Sequence, residues 1–582
     1  MTVTRLDSMY FRQYYLGCLS HASYLVGDTS TGRAVVVDPQ RDVSEYLADA
    51  RELGLTITHV IESHFHADFL SGHLELAAAT GAAICYGRAA EGRAEFPITT
   101  LAHGDTLTLG EVELDILETP GHTPESISIV VRPRGRGGEP FGVLTGDTLF
   151  IGDVGRPDLL ASVGVTADDL GRQLFHSLHG KLLRLPDSTK VFPAHGAGSA
   201  CGKNLSTETV STIGEQRVTN YALSPMSEDE FVETVTEGQS VAPMYFPFAA
   251  TMNRKSRDLL IEDAEVTRLP VNRVVELQKT GVAVIDGRTD VEFARGHLRG
   301  SINVGLGGRF AEYAGEVVRP GTPIVVVVPP GRESEAKIRL ARIGFDNVLG
   351  ALDDPTRAFF ENPEHVEVSS RLAAAELVRA MESLGDMTLV DVRNPGEIAL
   401  GTIDGARPIP LPSLIDHIDE LDPNRPTVVF CAGGYRSSIA RSLLRSRGFR
   451  DVSDVIGGYT AWSAFQHMQS PAPASIPAVD VDSVANDPTA FVFDVREQDE
   501  WDAGHVASSI HIPMGEVATR TDELPRDRRL VCICRSGNRS GRVTSYLRLQ
   551  GFDVVNLTGG VQQWHRNGHP LVDRDGGAGV PI

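Results

Sequence analysis

The second half of the chain repeats itself three times, and a repeat of that length dictates the architecture. Val284-Ile285-Asp286-Gly287-Arg288, Leu389-Val390-Asp391-Val392-Arg393 and Val492-Phe493-Asp494-Val495-Arg496 align, with their aspartates 105 and then 103 residues apart. An acidic residue follows each Asp-x-Arg (Glu292, Glu397, Glu500), then Gly296-His297-Leu298, Gly401-Thr402-Ile403 and Gly504-His505-Val506. Each copy closes on Gly-Phe, at Gly344, Gly448 and Gly551. Apolar strands alternating with amphipathic helices predict α/β units with parallel sheets. A period of about 100 residues means tandem domains, not a solenoid. The expected boundaries are 266–365, 366–470 and 471–582, preceded by a linker at 251–265 and a first domain over 1–250. A chain of 582 residues accommodates about four domains at roughly 150 residues each. Pro471-Ala472-Pro473-Ala474 and Ser475-Ile476-Pro477 read as a linker between the last two domains, and 238–257 as a segment wrapping the first.

Chemistry concentrates in the loop before the long helix of copies two and three. Val428-Val429-Phe430 runs into Cys431-Ala432-Gly433-Gly434-Tyr435-Arg436-Ser437, and Val531-Cys532-Ile533 into Cys534-Arg535-Ser536-Gly537-Asn538-Arg539-Ser540. A cysteine at such a strand end faces a ring of backbone N–H groups and a helix N-terminus, which stabilise a thiolate and bound anions. The same cradle can hold a negatively charged persulfide. The alternative is an inert, packed thiol. Arg436 and Arg539 would brace the loop or hold the oxyanion end of a substrate. These loops, the Asp-x-Arg strand ends, and Gly457-Gly458-Tyr459-Thr460-Ala461-Trp462 and Gly559-Gly560-Val561-Gln562-Gln563-Trp564 resemble the rhodanese family of sulfurtransferases, over residues 266–575. The resemblance implies Cys431 and Cys534 as sulfur-carrying nucleophiles. Related phosphatases use one more residue between Cys and Arg, so four favour sulfur transfer over phosphoryl chemistry.

Copy one departs from the pattern. Counting back from Gly344 by the interval of 17 that separates Cys431 from Gly448 and Cys534 from Gly551 lands on Val327, with Arg332 at the arginine position. Pro329-Pro330 would remove backbone donors from the cradle, and Gly350 stands for the paired glycines. Residues 266–365 are therefore expected to be a degenerate domain with a structural or docking role.

The first domain carries a metal pattern. His64-Phe65-His66-Ala67-Asp68-Phe69 follows the apolar run Ile57-Thr58-His59-Val60-Ile61, and Gly121-His122, Gly146-Asp147 and Pro193-Ala194-His195-Gly196 each stand at an expected strand end. Neutral imidazoles and carboxylates suit a divalent first-row metal. Over residues 8–245 these motifs resemble the metallo-β-lactamase superfamily, whose first motif ends in a further histidine where this chain has Phe69. Phenylalanine cannot ligate, so one metal at His64, His122 and Asp147 is the better expectation. Two histidines and a carboxylate with open positions form the ligand set of non-haem Fe(II) oxygenases, and this variant looks like the persulfide dioxygenases. The resemblance then implies one Fe(II) per chain, with zinc as the alternative. His66, Asp68 and His195 become residues that orient ligands or meet substrate, Arg156 a contact for the substrate's thiol carrier, and Asp38 a structural residue. Cys18, Cys85 and Cys201 lie outside any metal or nucleophile spacing and are expected to pack as small apolar groups; so is Cys532, two residues before Cys534.

The expected fold is thus an α/β multidomain chain, an N-terminal αββα domain followed by three rhodanese-like domains. The expected activity is that of a persulfide dioxygenase and thiosulfate sulfurtransferase, oxidising a small thiol persulfide with O2 to sulfite and thiol and exchanging sulfane sulfur with sulfite or thiosulfate, in sulfide or persulfide detoxification. A glyoxalase-II-like thioester hydrolase with accessory rhodaneses, and a non-enzymatic sulfur carrier or sensor array, are the alternatives. A formal net charge of −23 argues against nucleic acid or an anionic membrane as partner. No apolar run approaches a membrane span, the first residues lack a signal peptide's apolar core, and six cysteines make no disulfide framework. A reducing cytoplasm and, by analogy with related fusions, a homo-oligomer are expected.

Overall fold

The computed structural model describes all residues except 1–2, 137, 160–163, 204, 384–385 and 470–475. The proline-rich linker expected at 471–477 lies largely outside them. The chain divides into two compact units. One comprises Met1–Val368 with Asn394–Ala399 and Pro410–Asp416, the other Ser369–Arg393, Leu400–Ile409 and His417–Ile582.

The first unit begins with two facing sheets. One has seven strands, Val3–Leu6, Met9–Leu16, His21–Asp28, Arg33–Val37, Thr56–Ile61, Ala83–Gly87 and Thr99–Leu101, paired in chain order. The other has six, in the order Ser211–Thr212, Lys190–Pro193, Gly142–Gly146, Ile127–Pro133, Val112–Glu118 and Thr106–Thr108. Alternation along the strands decides which face meets what. Ile129, Leu144 and Phe192 point inward and interleave with Phe11, Tyr24 and Val26 of the opposite sheet. Their neighbours Val130, Val143 and Val191 point outward, where Leu174, Leu178 and Phe231 of helices Ala167–Gly180 and Glu228–Thr236 cover them. On the other flank Tyr46, Ala50 and Leu76 of helices Ser44–Glu52 and His73–Thr80 cover Leu25, Val36 and Val60. The result is the expected αββα sandwich.

The three repeats form three five-stranded parallel sheets with one topology. The orders are Arg268–Leu269, Val348–Leu352, Ile324–Val327, Ala283–Asp286, Ile302–Asn303; then Ser370–Leu372, Val452–Val455, Thr427–Phe430, Thr388–Asp391, Arg407–Pro408; then Ala478–Val479, Val554–Leu557, Leu530–Ile533, Phe491–Asp494, Ile510–His511. The repeated Asp-x-Arg is a clamp. Arg288, Arg393 and Arg496 each chelate their own Asp286, Asp391 or Asp494 and donate from Nη2 to the carbonyls of Gly296, Gly401 and Gly504, at 3.0, 2.7 and 2.8 Å. Charge-assisted forks of this kind fix loop geometry, which is why the motif recurs without being part of a reactive loop.

Strand register corrects the reading of copy one. Asp286 pairs with Val327 as Asp391 pairs with Phe430 and Asp494 with Ile533. The residue after each is therefore equivalent, so Val328 stands at the cysteine position and Glu333, not Arg332, at the arginine position. Only 16 residues separate Val328 from Gly344, because helix Glu333–Ala341 has 9 residues where Tyr435–Ser446 and Asn538–Leu549 have 12. Gly350 lies within its strand, and Asp354-Pro355 replace the paired glycines. Asp354 keeps the positive φ of that position, +37° against +70° at Gly457 and +77° at Gly559.

Within the first unit a seam of buried charges joins the sandwich to copy one. Arg41 is buried and donates to Glu75 at 3.1 Å, to Asp346 and to the carbonyl of Ala341 at 2.9 Å. Arg342 forks onto Asp42 at 2.7 and 2.5 Å, and its carbonyl accepts from Leu70 N at 2.7 Å.

Candidate metal centre and cysteine loops

Every histidine and aspartate of the expected cluster sits just beyond a strand end, on one rim of the sandwich. His64 and His66 follow Thr56–Ile61, His122 follows Val112–Glu118, Asp147 follows Gly142–Gly146 and His195 follows Lys190–Pro193. Gly146 makes the rim tight. It has φ +51°, and a Cβ there would lie 2.7 Å from Ser63, next to His64.

Ligand-type atoms of His64, His122 and Asp147 lie within 4.8 Å of one another, all buried. Asp147 Oδ2 is 3.5 Å from His122 Nε2 and 3.9 Å from His64 Nε2. Their outer nitrogens are already engaged. His122 Nδ1 donates to the carbonyl of Arg156 at 2.9 Å, and His64 Nδ1 meets Ser63 Oγ at 3.0 Å. Such contacts fix the ring orientation and leave Nε2 facing the cluster. Both oxygens of Asp147, His64 Nε2, His195 Nε2 and Asp68 Oδ1 are buried without a hydrogen-bond partner. Each unsatisfied buried polar atom costs about 1–3 kcal/mol, so a divalent cation fits this donor set. Burial, reinforced by His66, His122 and His195, pushes the His64 pKa well down, which keeps it neutral, as a ligand must be.

His66, Asp68 and His195 form a second buried cluster beside the first. His195 Nε2 lies 3.3 Å from Asp68 and 3.5 Å from Asp147, while His195 Nδ1 donates to Ser20 O at 3.2 Å. His66 Nε2 turns away, towards Asp38 at 3.0 Å and Glu62 at 3.4 Å. Burial alone would lower its pKa, but the two carboxylates, Asp38 foremost, raise it well above the usual value. Asp38 Oδ1 also accepts from Ser63 N at 2.6 Å, so it shapes the first motif from outside. Phe69 is buried against the rings of His21 and His66, with centroids 4.0 and 4.4 Å apart. The wrap is present too. Asn253 donates to the carbonyls of His66 and Phe69, both at 2.8 Å, and Tyr245 OH to Asp68 O at 2.8 Å.

Arg156 is buried, with its guanidinium on Asp158 at 2.7 Å through two nitrogens and on Ala200 O at 3.2 Å. Cys201 differs from the sequence expectation. Its sulfur joins Asp147 and His195 within 4.8 Å, and burial together with Asp68 and Asp147 pushes its thiol pKa well up. The only signal in the sequence was its nearness to His195. Cys85 and Cys532 are buried in apolar clusters, as expected, whereas Cys18 is half-exposed.

In the second unit, Cys431 and Cys534 end their strands and are buried. Gly434 N donates to Cys431 Sγ at 3.1 Å and Gly537 N to Cys534 Sγ at 3.2 Å, and both glycines have positive φ. Ser437 Oγ lies 3.6 Å from Cys431 Sγ, and Ser540 Oγ donates to Cys534 Sγ at 3.2 Å. The next helix docks on the loop through Tyr459 N to Cys431 O at 2.7 Å and Val561 N to Cys534 O at 2.9 Å. A Cβ at Gly560 would stand 2.1 Å from Cys534 O, so only glycine fits. Arg436 lies in the first turn of its loop's helix, Tyr435–Ser446, and Arg539 forks onto Glu500 through two bonds of 2.6 Å. Glu500, the acidic residue that recurs after Asp-x-Arg, was not recognised from sequence as the arginine's partner. Copy one has Val328, two prolines without N–H and Glu333 in the same places, which rules out the same cradle there.

Among known proteins, residues 16–195 match the metallo-beta-lactamase superfamily, and residues 271–354, 373–465 and 478–567 match the rhodanese-like domain. Persulfide dioxygenase ETHE1, mitochondrial, of Bos taurus is 29% identical over 235 residues, 40% of this chain and 83% of its own. Putative sulfurtransferase YtwF of Bacillus subtilis (strain 168) is 37% identical over 89 residues, 15% of this chain and 86% of its own. The crystal structure of a metallo-beta-lactamase from Staphylococcus aureus subsp. aureus COL is 34% identical, covers 59% of this chain and 99% of its own, and superposes with a TM-score of 0.54. Among the described residues no helix is long and apolar enough to cross a membrane.

Proposed function

Because the chain belongs to the metallo-β-lactamase superfamily in its first part and to the rhodanese-like family in three further domains, we propose that it is a persulfide dioxygenase coupled to a sulfurtransferase. The observation that carries this reading is the buried His64, His122 and Asp147 cluster, flanked by Phe69, on a chain with two amide-cradled cysteines. The proposed overall reaction is RSSH + O2 + H2O → RSH + SO3²⁻ + 2 H⁺. A second persulfide then gives its sulfane sulfur to Cys431 or Cys534, which passes it to sulfite as thiosulfate; the reverse direction supplies persulfide from thiosulfate. We assign the whole to the disposal of sulfide or persulfide.

Fe(II) held by His64, His122 and Asp147 would supply O2 activation and a seat for the terminal sulfur. The chain's own residues do the rest. Arg156 presents its carbonyl to His122 Nδ1; with its guanidinium engaged by Asp158, we assign it to ordering that loop rather than to touching the thiol carrier. Phe69 keeps water from one wall. Asp68 Oδ2 and His195 Nε2, 3.3 Å apart, are suited to hold a proton between them beside the cluster. Arg539, fixed by Glu500, braces the Cys534 loop, and Arg436 has the same place in the Cys431 loop.

The test uses the full chain with a thiol persulfide in aerated buffer. Wild type should consume O2 and yield thiosulfate. His122→Ala should lose O2 uptake, and the Cys431→Ser, Cys534→Ser double variant should keep it while releasing sulfite. Persistent O2 uptake in His122→Ala, or unchanged thiosulfate yield in the double variant, would sink the proposal. The intact His66, Asp68 and His195 cluster favours one second reading, a metal-dependent thioester hydrolase. Thioester cleavage by a zinc-loaded chain that never consumes O2 would establish that reading instead.

A further inference from the structure

The cysteine-less domain has lost its own chemistry, yet it shares a cavity with the metal domain. This cavity, about 820 Å³, lies within the first unit between Leu16, Gly17 and Cys18 on one side and Leu306, Arg309 and Arg339 on the other; Asp42, paired with Arg342, and Glu335, paired with Arg339, also line it. Its size is that of pockets for small molecules.

The segments that form both walls also touch residues beside the metal cluster. On one side the carbonyl of Ser20, two residues past Cys18, accepts from His195 Nδ1 at 3.2 Å, and the His21 ring packs against Phe69. On the other, Arg309 reaches the loop after His195, with its Nη1 3.7 Å from where a Cβ of Gly198 would be. Glu312, the partner of Arg309, is buried in helix Phe310–Val317.

The guanidinium groups have different tasks. Arg339 donates to the carbonyls of Leu306 and Gly308, both at 2.5 Å, and so braces the loop that carries Arg309. Arg342 is held by Asp42, and its Nη1 lies 3.5 Å from Cys18 Sγ. Arg309 keeps Nε buried without a hydrogen-bond partner, while its side chain is 27% exposed and within reach of a solute.

We propose that this cavity seats the anionic body of the thiol whose persulfide enters the metal centre, and that Arg309 is the residue that contacts its carboxylate or phosphate. The cysteine-less domain is then the specificity wall of the oxygenase. The guanidinium fork suits both anions, and it is pre-positioned by its brace and its ion pair. The inference rests on the persulfide reading of the metal centre, so its test has an arm that needs no turnover.

Calorimetry on the full chain with unreacted thiols is that arm. Glutathione probes a carboxylate-bearing body, coenzyme A a phosphate-bearing one, and 2-mercaptoethanol an uncharged one. One of the two anionic thiols should bind, which identifies the source of the charge; Arg309→Gln should weaken it about tenfold or more, and Arg309→Lys should recover part of the loss. Gly17→Asp is the second variant. A Cβ at Gly17 meets nothing within 4 Å, so the new carboxylate fits and should repel the same thiol without disturbing the fold. In turnover, Arg309→Gln should raise KM for the persulfide of that thiol with kcat within about twofold, and leave the uncharged persulfide unaffected. Failure of both anionic thiols to bind, or equal losses for anionic and uncharged ligands, would overturn the proposal. Thiol binding that depends on Arg309 in a chain that consumes no O2 would keep the cavity and reject the oxygenase reading.

Discussion

Asp38 touches none of the three expected ligands, yet it positions the motif that carries one of them. Its Oδ1 holds Ser63 N and His66 Nε2 together, from a backbone at φ +49°. Asp38→Ala should lower metal affinity about 10- to 100-fold, the usual effect of losing an outer partner, while sulfur transfer by the cysteine loops stays unchanged. Equilibrium dialysis beside a sulfurtransferase assay checks both. Glu500 gives a prediction in pH. Burial would raise its carboxyl, but the bonds from Arg539 and from Glu497 N outweigh that and hold it below the usual carboxylate value. A group depressed in this way stabilises the fold above its unfolded pKa and loses that contribution as pH falls through the folded value. Glu500→Gln should therefore cost about 1–2 kcal/mol in the third repeat near neutrality and nothing below the folded pKa, as denaturant titrations at two pH values would show. The ligand-type residues were legible because His, Asp and Cys at strand ends have few other uses. Their supports were not. Ser20 and Arg309 reach His195 and the loop after it from remote segments, and no local pattern encodes that.

At the scale of elements, strand pairing settled what counting could not. The interval from Gly344 assumed a helix of unchanged length, and the shorter helix Glu333–Ala341 shifted the result by one residue. The departure of copy one from the cysteine-loop pattern is more complete than the sequence suggested, since Glu333 replaces the arginine as well. Reinstalling the thiol should therefore fail. Val328→Cys in the Cys431→Ser, Cys534→Ser background should give no thiosulfate-dependent sulfur transfer, because Pro329 and Pro330 cannot donate and Glu333 repels the anion. Transfer approaching that of either single variant would contradict this reading of the loop. The positive φ at Asp354 carries the same lesson. The backbone shape of the family persists where its glycine does not, and sequence shows the residue but not the dihedral.

Across the whole molecule, the repeat made the domain series readable, whereas the division into two units was hidden. Nothing in the sequence joins copy one to the sandwich; that follows from Arg41 and Arg342, whose partners lie about 300 residues away. Breaking a buried ion pair by removing one partner costs about 3–5 kcal/mol. Arg41→Met should thus lower the temperature at which O2 uptake is lost on heating, while the heat resistance of sulfur transfer, which resides in the other unit, remains that of wild type. The domain series leaves one question above the others, namely which metal the buried histidines and aspartate hold and what it does. Metal content and O2 uptake measured on one preparation of the full chain answer it. One iron per chain, with about one O2 consumed for every two molecules of thiol persulfide turned over to thiosulfate, is the expected result; stoichiometric zinc with no O2 uptake would contradict it.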